Sequence, residues 1–247
     1  MAPTRPLVLL HPYPADASFW NRFRDALGGE RWILTPQAPG FGGTPAQARW
    51  SIDGLADRIA ADIDIANPGG GADVMGVSMG GYVALSLVLR HPERCTSLVL
   101  ADTRPDADDD AARHARYEAI TAISAGETSA YLDGLLPRLV GPDATDDVRA
   151  ELDTCARRQP AAALIGALGA LAERPDREQS LGAVGVPTLV IVGAHDAVTP
   201  PALAARLAAG IPGARCAIVA GAGHLAPLER PSEVAGLVAD HLRTTPA

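Results

Sequence analysis

The chain contains no lysine; all 21 of its basic residues are arginine. Schiff-base chemistry on a lysine amine is thereby excluded, and the bias itself reads as codon usage. Cysteine is scarce as well. Cys95, Cys155 and Cys216 are odd in number, far apart and without metal-ligand spacing, so buried free thiols are expected and no zinc site or disulfide framework is visible. Although 47% of residues are hydrophobic, much of that fraction is alanine, and no apolar run reaches the roughly 18 residues of a membrane helix. The opening stretch MAPTRPLVLLHPYP carries one early arginine and an apolar run too short for a leader, so a cytoplasmic location is expected. Positive charge is in deficit, with a net charge of −8. Nucleic acid is a poor partner for such a surface, because phosphate binding needs a basic face. There is no internal repeat, coiled-coil pattern or low-complexity tail.

What is present is organised around residues 72–90, ADVMGVSMGGYVALSLVLR. An apolar run at 74–77 passes without a linker through Gly76-Val77-Ser78-Met79-Gly80 into a segment whose apolar spacing suits a buried helix. A serine is thus placed on a sharp strand-to-helix turn. Glycines two before and two after it let strand and helix approach without Cβ clashes, and the strained turn projects the hydroxyl above the sheet edge. The amide of Met79 lies at a helix N-terminus, where unpaired N–H groups favour a developing negative charge. Chance would supply about 0.1 such matches in a chain of this composition. The flanking strand and helix, with Gly81 extending the glycines, make Ser78 a nucleophile candidate rather than a structural turn.

At 247 residues the chain holds one domain with an insertion, or at most two domains. Strands are expected at 7–10, 32–35, 74–77, 97–101, 187–192 and 215–219, and helices at 19–27, from Ser51 or Asp53 through Ile63, at 200–209 and at 231–242. Residues 36–44, PQAPGFGGT, form a glycine-proline loop. From about Arg104 to Ser180 there is no strand signal, only helical segments near 111–124, 128–139, 146–157 and 161–172. The expected organisation is therefore a core of 1–103 and 181–247 with a helical insertion over 104–180. Its last helix, AAALIGALGALA, is apolar nearly all round, which fits either a cavity wall or simple burial. Asp106, Asp108, Asp109 and Asp110 could suggest a metal loop, but acidic residues are favoured at a helix start by the dipole. Strands interleaved with helices imply a doubly wound, mostly parallel sheet, with ligands at the carboxyl ends of the strands.

A serine hydroxyl needs a base, and the base an orienting group. His224, in Gly221-Ala222-Gly223-His224-Leu225, follows the last strand and so shares the sheet edge of Ser78. His11 and His195 also lie at strand ends, whereas His91, His114 and His241 fall in helices or at their ends and suit surface or capping roles. Asp196 directly follows the 187–192 strand. Asp102 also ends a strand and competes with it for the orienting role.

The order Ser78, Asp196, His224, with the elbow and the helical insertion, resembles the α/β-hydrolase superfamily across nearly the entire chain. The resemblance implies an α/β fold with about six strands and a helical lid. It implies Ser78 as nucleophile, His224 as general base and then acid, and Asp196 as the group that fixes the imidazole tautomer. It further implies that His11-Pro12-Tyr13-Pro14 corresponds to the family's HGxP oxyanion motif, so that the backbone N–H of Tyr13 joins that of Met79 in the hole. Pro-Gly-Phe-Gly at 39–42 looks like the loop beside the site. Two departures stand out. Proline replaces glycine at position 12, which leaves the inferred donor Tyr13 in place. The antiparallel hairpin that many members carry before the HGxP strand is not expected here, which puts 7–10 or its neighbour near a sheet edge.

Serine at the elbow does not fit the epoxide hydrolase and haloalkane dehalogenase branches, which place aspartate there. Ser-Met-Gly-Gly, the Asp-Thr-Arg at 102–104 and GHLAPLERP look most like small bacterial esterases and the 3-oxoadipate enol-lactonase group. The insertion has only Tyr117 and Tyr131 as aromatics, which fits a small acyl group better than an extended polyaromatic ligand. The reading is a cofactor-independent, metal-independent hydrolase of a small carboxylic ester or lactone. Carbon–carbon bond hydrolysis, proton abstraction and perhydrolysis use the same triad on this fold and stay open. A ligand receptor with a slow triad is the alternative from another class; filled triad positions weigh against a degenerate member. The sequence carries no signal of oligomeric state.

Overall fold

The computed structural model describes residues 5–29, 31–47 and 49–245. The first four residues of the opening stretch weighed above as a leader lie outside them. Six strands form one parallel sheet: β1 (Leu7–Leu10), β2 (Ile33–Leu34), β3 (Ala72–Val77), β4 (Cys95–Ala101), β5 (Thr188–Gly193) and β6 (Arg215–Val219), in the order β2-β1-β3-β4-β5-β6. The doubly wound sheet expected from the sequence is therefore present with six strands. β2 is the edge and β1 lies beside it. β2 is shorter than expected because it pairs only through Leu7 with Ile33 and Val8 with Leu34, and Pro36, with no N–H to donate, follows closely.

The chain runs from β1 outward to β2 and then back across β1 to β3, so strand order reverses between β1 and β3. Open α/β sheets leave a crevice at such a reversal, beyond the carboxyl ends of the strands. Ser78 and the loop after β1 both lie there.

Because successive strand residues point to opposite faces, each strand feeds two cores. Val8, Leu10, Val74, Leu98, Leu100, Val190 and Val192 join the core under α2 (Ile52–Ala66), α3 (Met79–Arg90) and α8 (Pro201–Gly210). Leu7, Leu9, Met75, Val77, Val99, Leu189 and Ile191 join the core under α1 (Asn21–Leu27), α9 (Ala226–Glu229) and α10 (Pro231–Thr244). α2 shows how the pattern selects its helix. Ser51 caps it by accepting from Gly54 N–H at 3.0 Å, and Ile52, Leu55, Ala56, Ile59, Ala60 and Ile63 recur at helical spacing and are all buried. The segment expected as one helix over 19–27 splits instead. Asp16 accepts from Ser18 N–H and starts a 3-10 turn at Ala17–Trp20, which then feeds α1.

Between β4 and β5 the described chain forms helices and no strand: α4 (Asp110–Ser124), α5 (Thr128–Leu135), α6 (Asp146–Arg157) and α7 (Ala161–Ala172), with a short 3-10 turn at Leu136–Arg138 where Pro137 ends α5. The aspartates at the start of this segment have separate duties. Asp109 caps α4 by accepting from Ala112 N–H at 2.7 Å, Asp106 pairs with Arg104, and Asp108 is buried between Arg116 and Arg174. α7 has one side on the core and another on a cavity, the first of the two alternatives open for its all-apolar sequence, and is not simply buried. Leu164, Ala167, Leu168 and Leu171 enter the core, while Ile165, Gly166, Gly169 and Ala170 line a cleft of about 470 Å³ shared with Trp50, Tyr117 and Ile120.

Candidate active site

Ser78 joins β3 to α3 with φ 51° and ψ −112°, a conformation that side-chain-bearing residues rarely adopt. Such a backbone costs about 1–3 kcal/mol and persists only where its surroundings over-determine it. Here they do. Ser78 N–H donates to the Ala101 carbonyl at 2.9 Å, and the Thr103 hydroxyl donates to the Ser78 carbonyl at 3.0 Å. The glycines owe their place to contact. A Cβ on Gly76 would lie 2.1 Å from the Gly80 carbonyl oxygen, one on Gly80 2.1 Å from the Leu10 carbonyl oxygen, and one on Gly81 2.6 Å from Thr103 Cβ. β3, the elbow and the end of β1 are thus in backbone contact.

The structure brings Ser78, His224 and Asp196 together. His224 Nδ1 donates to Asp196 Oδ2 at 2.8 Å, so Nε2 is left as the acceptor and receives the Ser78 hydroxyl at 2.9 Å. His224 and Asp196 are buried, and Ser78 is half-buried. Burial alone would raise the pKa of Asp196, but hydrogen bonds from His224 and from the Thr199 hydroxyl and amide outweigh it and hold the carboxyl below its ordinary value. Thr199 was not singled out in the sequence. Its hydroxyl donates to Asp196 Oδ2 at 2.7 Å, and Asp196 Oδ1 accepts the N–H groups of Val198 and Thr199, each at 2.8 Å. The legible signal was Asp196-Ala197-Val198-Thr199-Pro200, in which an aspartate three residues ahead of a threonine can cap the following turn.

Asp102, the competing carboxylate, turns elsewhere. Its Oδ1 accepts from Gly193 N–H and its Oδ2 from Ala226 N–H, both at 2.9 Å. Complete burial pushes its pKa well up, the Asp196 charge adds to the rise, and the two N–H donors oppose it. It ties the end of β5 to the loop after His224 without touching the imidazole.

The other histidines separate by environment. His11 is buried; Nε2 accepts from Ala38 N–H at 3.0 Å, so Nδ1 donates to the Pro12 carbonyl at 3.1 Å, and burial lowers its pKa. It fastens the loop after β1 to the Pro39-Gly40-Phe41-Gly42 stretch. His195 is exposed, His91 meets Asp57 at the end of α3, and His114 pairs with Glu118 on α4. His241 departs from the surface or capping role expected of it, being buried in the last turn of α10 with its pKa lowered by that burial.

Tyr13 stands on the loop after β1, and Met79 is the first residue of α3. Among the described residues neither amide N–H is used in a turn hydrogen bond. Pro12 is accommodated because the loop draws on its carbonyl, which accepts from Ala15 N–H at 3.0 Å. The Tyr13 ring is buried edge-on against Phe41, and its hydroxyl faces Tyr131 of α5. The loop is also held from outside. Asp16 receives Arg158 on both oxygens at 2.8 and 2.5 Å and Gln159 at 2.7 Å. Those residues follow α6, so the segment between β4 and β5 is clamped to the loop after β1. These bonds, with one from Ser18 N–H, hold the Asp16 pKa far below its ordinary value despite burial.

Residues 7–237 match the family model described as the alpha/beta hydrolase family. The pimeloyl-acyl-carrier-protein methyl ester esterase of Aromatoleum aromaticum is 32% identical over 263 aligned positions, covering 96% of this chain and 98% of that protein. A thermophilic esterase from Thermogutta terrifontis, solved with malate bound, superposes with a TM-score of 0.92 at 28% identity, covering 98% of this chain and 91% of that one. The enol-lactonase of Burkholderia xenovorans superposes with a TM-score of 0.86 at 25% identity, covering 97% and 91%.

Proposed function

The chain belongs to the alpha/beta hydrolase family, and from that premise we propose that it is a hydrolase of small carboxylic esters or lactones working through an acyl-serine at Ser78. The observation that carries the reading is the unbroken pair of hydrogen bonds from the Ser78 hydroxyl through His224 to Asp196, at 2.9 and 2.8 Å. The Ser78 oxygen attacks the carbonyl while His224 Nε2 takes its proton, and Asp196 stabilises the imidazolium that results. The negative oxygen of the tetrahedral intermediate is received by the N–H groups of Tyr13 and Met79, the second at the N-terminus of α3. His224 then returns the proton to the leaving oxygen, and a water activated by the same imidazole hydrolyses the acyl-serine. Only these side chains and amides are required; no metal or cofactor enters the cycle.

Residues 104–180 act as a lid over a core of 1–103 and 181–247. In support, the helices α4 to α7 leave the sheet just after Asp102 and Thr103, beside the nucleophile, and are clamped to the Tyr13 loop through Asp16. Ester relatives and the enol-lactonase of similar fold favour a small acyl or lactone substrate. The cysteines at 95, 155 and 216 form no disulfide; Cys95 and Cys155 are buried as expected, whereas Cys216 is exposed, and free thiols fit the reducing cytoplasm.

The test is nitrophenol release from 4-nitrophenyl esters, acetate through decanoate, by the wild-type chain and by Ser78→Ala. Turnover by the wild type and none by the variant is expected, with the best chain length sizing the pocket. Equal turnover by both would overturn the nucleophile, and inactivity of both would turn the search to lactones and carbon–carbon bonds.

A further inference from the structure

The loop that carries His224 is gripped by a carboxylate with no part in the cycle above. Glu229, in α9 and only 5% exposed, accepts three backbone N–H groups from two different parts of the chain. Its Oε1 receives Gly223 N–H at 2.9 Å and Leu225 N–H at 3.3 Å, the residues on either side of His224. Its Oε2 receives Gly141 N–H at 2.8 Å, from the segment between α5 and α6. A carboxylate is acceptor-only, with about four lone-pair sites, and suits a purely donating environment. An amide would turn a donor toward one of the two sets.

The same junction is closed sterically. A Cβ on Gly223 would lie 2.2 Å from Gly141 N, one on Gly141 2.8 Å from Gly223 N, and one on Gly193 2.0 Å from the Gly223 carbonyl oxygen. Three glycine backbones are therefore stacked, with the His224 loop between the end of β5 and the helical segment. Arg149 donates to the Gly141 carbonyl at 3.0 Å and fixes the outer side of the junction from α6.

We infer that Glu229 is a positioning residue that couples the placement of the helical segment to the orientation of His224. The inference rests on the proposed role of Ser78 and His224. When Gly141 sits on Oε2, the carboxylate is aligned so that Oε1 meets both amides beside the imidazole. Displacing Gly141 releases one side of Glu229 and with it the alignment of the base. Substrate entry that shifts the helical segment would thus lower the reactivity of Ser78 until the segment returns.

The experiment follows labelling of Ser78 by a fluorophosphonate probe, which needs the base but no matched acyl group. Expected for Glu229→Gln is a fall in the maximal labelling rate of about 10- to 100-fold, the loss that follows when a buried donor goes unmatched, with the probe's half-saturating concentration within about twofold of wild type, since no group contacting the probe has changed. Gly141→Ala, whose added methyl would press on Gly223 N and Glu229 Oε2 at the junction itself, should reduce the same rate, and so should Arg149→Met, which removes the donor that fixes the Gly141 carbonyl from α6. Gly134→Ala, where a Cβ meets no atom within 4 Å, should label as the wild type does. Glu229→Gln and Gly141→Ala both labelling at the wild-type maximal rate would overturn the coupling while leaving Ser78 as nucleophile. Should Glu229→Gln fail to fold, Arg149→Met decides, because it loosens Gly141 from the α6 side and adds no atom to the His224 loop; labelling at the wild-type maximal rate would overturn the coupling. Labelling that survives Ser78→Ala would instead overturn the proposed function.

Discussion

Thr199 and His224 meet on one atom: the threonine hydroxyl donates to Asp196 Oδ2 at 2.7 Å, and His224 Nδ1 donates to that same oxygen at 2.8 Å. The carboxylate that orients the base is therefore itself oriented. Thr199→Val keeps the shape and removes the donor. We expect kcat to fall by roughly 10-fold, the lower end for an unmatched buried acceptor. Steady-state kinetics between pH 5 and about 9 check this.

Asp196 and Asp102 end neighbouring strands, and their amide variants should separate cleanly. Asp196→Asn leaves the imidazole with an amide where it needs an anion, and a loss in kcat of about 10⁴ is expected without loss of fold. Asp102→Asn turns an amide donor toward Gly193 or Ala226 N–H. That mismatch costs about 1–3 kcal/mol, read as a lower Tm with KM little changed. A larger kcat loss in Asp102→Asn than in Asp196→Asn would reverse the two assignments.

The pair between Asp16 and Arg158 makes the loop after β1 sensitive to acid. Pairing depresses the Asp16 pKa in the fold below its unfolded value of about 3.9. Its contribution is present above about pH 4 and is lost as pH falls toward the folded value. Thermal melts at pH 7, 4 and 2.5 should show a steeper decline for the wild type than for Asp16→Asn, with Asp16→Asn the less stable at pH 7.

Glycines in this chain do opposite work at different sites. Gly80→Ala would drive a methyl group into the Leu10 carbonyl oxygen, and overpacking of a backbone contact costs about 3 kcal/mol or more. Tm should drop by roughly 5–10 °C, with esterase activity lost because the elbow moves. Gly236→Ala, exposed in α10 with no atom within 4 Å of the added Cβ, should raise stability by about 0.5–1 kcal/mol through helix propensity. Calorimetry on the two variants reads both signs.

The alternation of strand and helix and the all-helical stretch after Asp102 were legible because each is a local pattern of apolar spacing. Gly76-Val77-Ser78-Met79-Gly80 was legible for a further reason: the contact that demands glycine at Gly76 is with the Gly80 carbonyl oxygen inside the same turn, whereas the one at Gly80, with the Leu10 carbonyl oxygen of β1, appears only in the tertiary structure. Element ends were less so. β2 shrank to two residues because an edge strand is paired on one side only, and the helix expected over 19–27 split because Asp16 starts a tighter turn.

By itself, then, the amino-acid sequence determined the parallel sheet, the elbow and a short list of residues at one sheet edge, since periodicity and turn chemistry act over a few residues. Only the tertiary structure decided which of those residues meet. Asp102 and Asp196 are alike in sequence, each following an apolar strand; Gly193 and Ala226 N–H groups claim the first, and His224 reaches the second, 28 positions away, at 2.8 Å. Glu229 was hidden for the same reason, since its bond to Gly141 N–H joins it to a segment 88 positions away. Hydrogen bonds to backbone N–H groups distant in the chain depend on how loops pack, and no side-chain pattern along the chain records them.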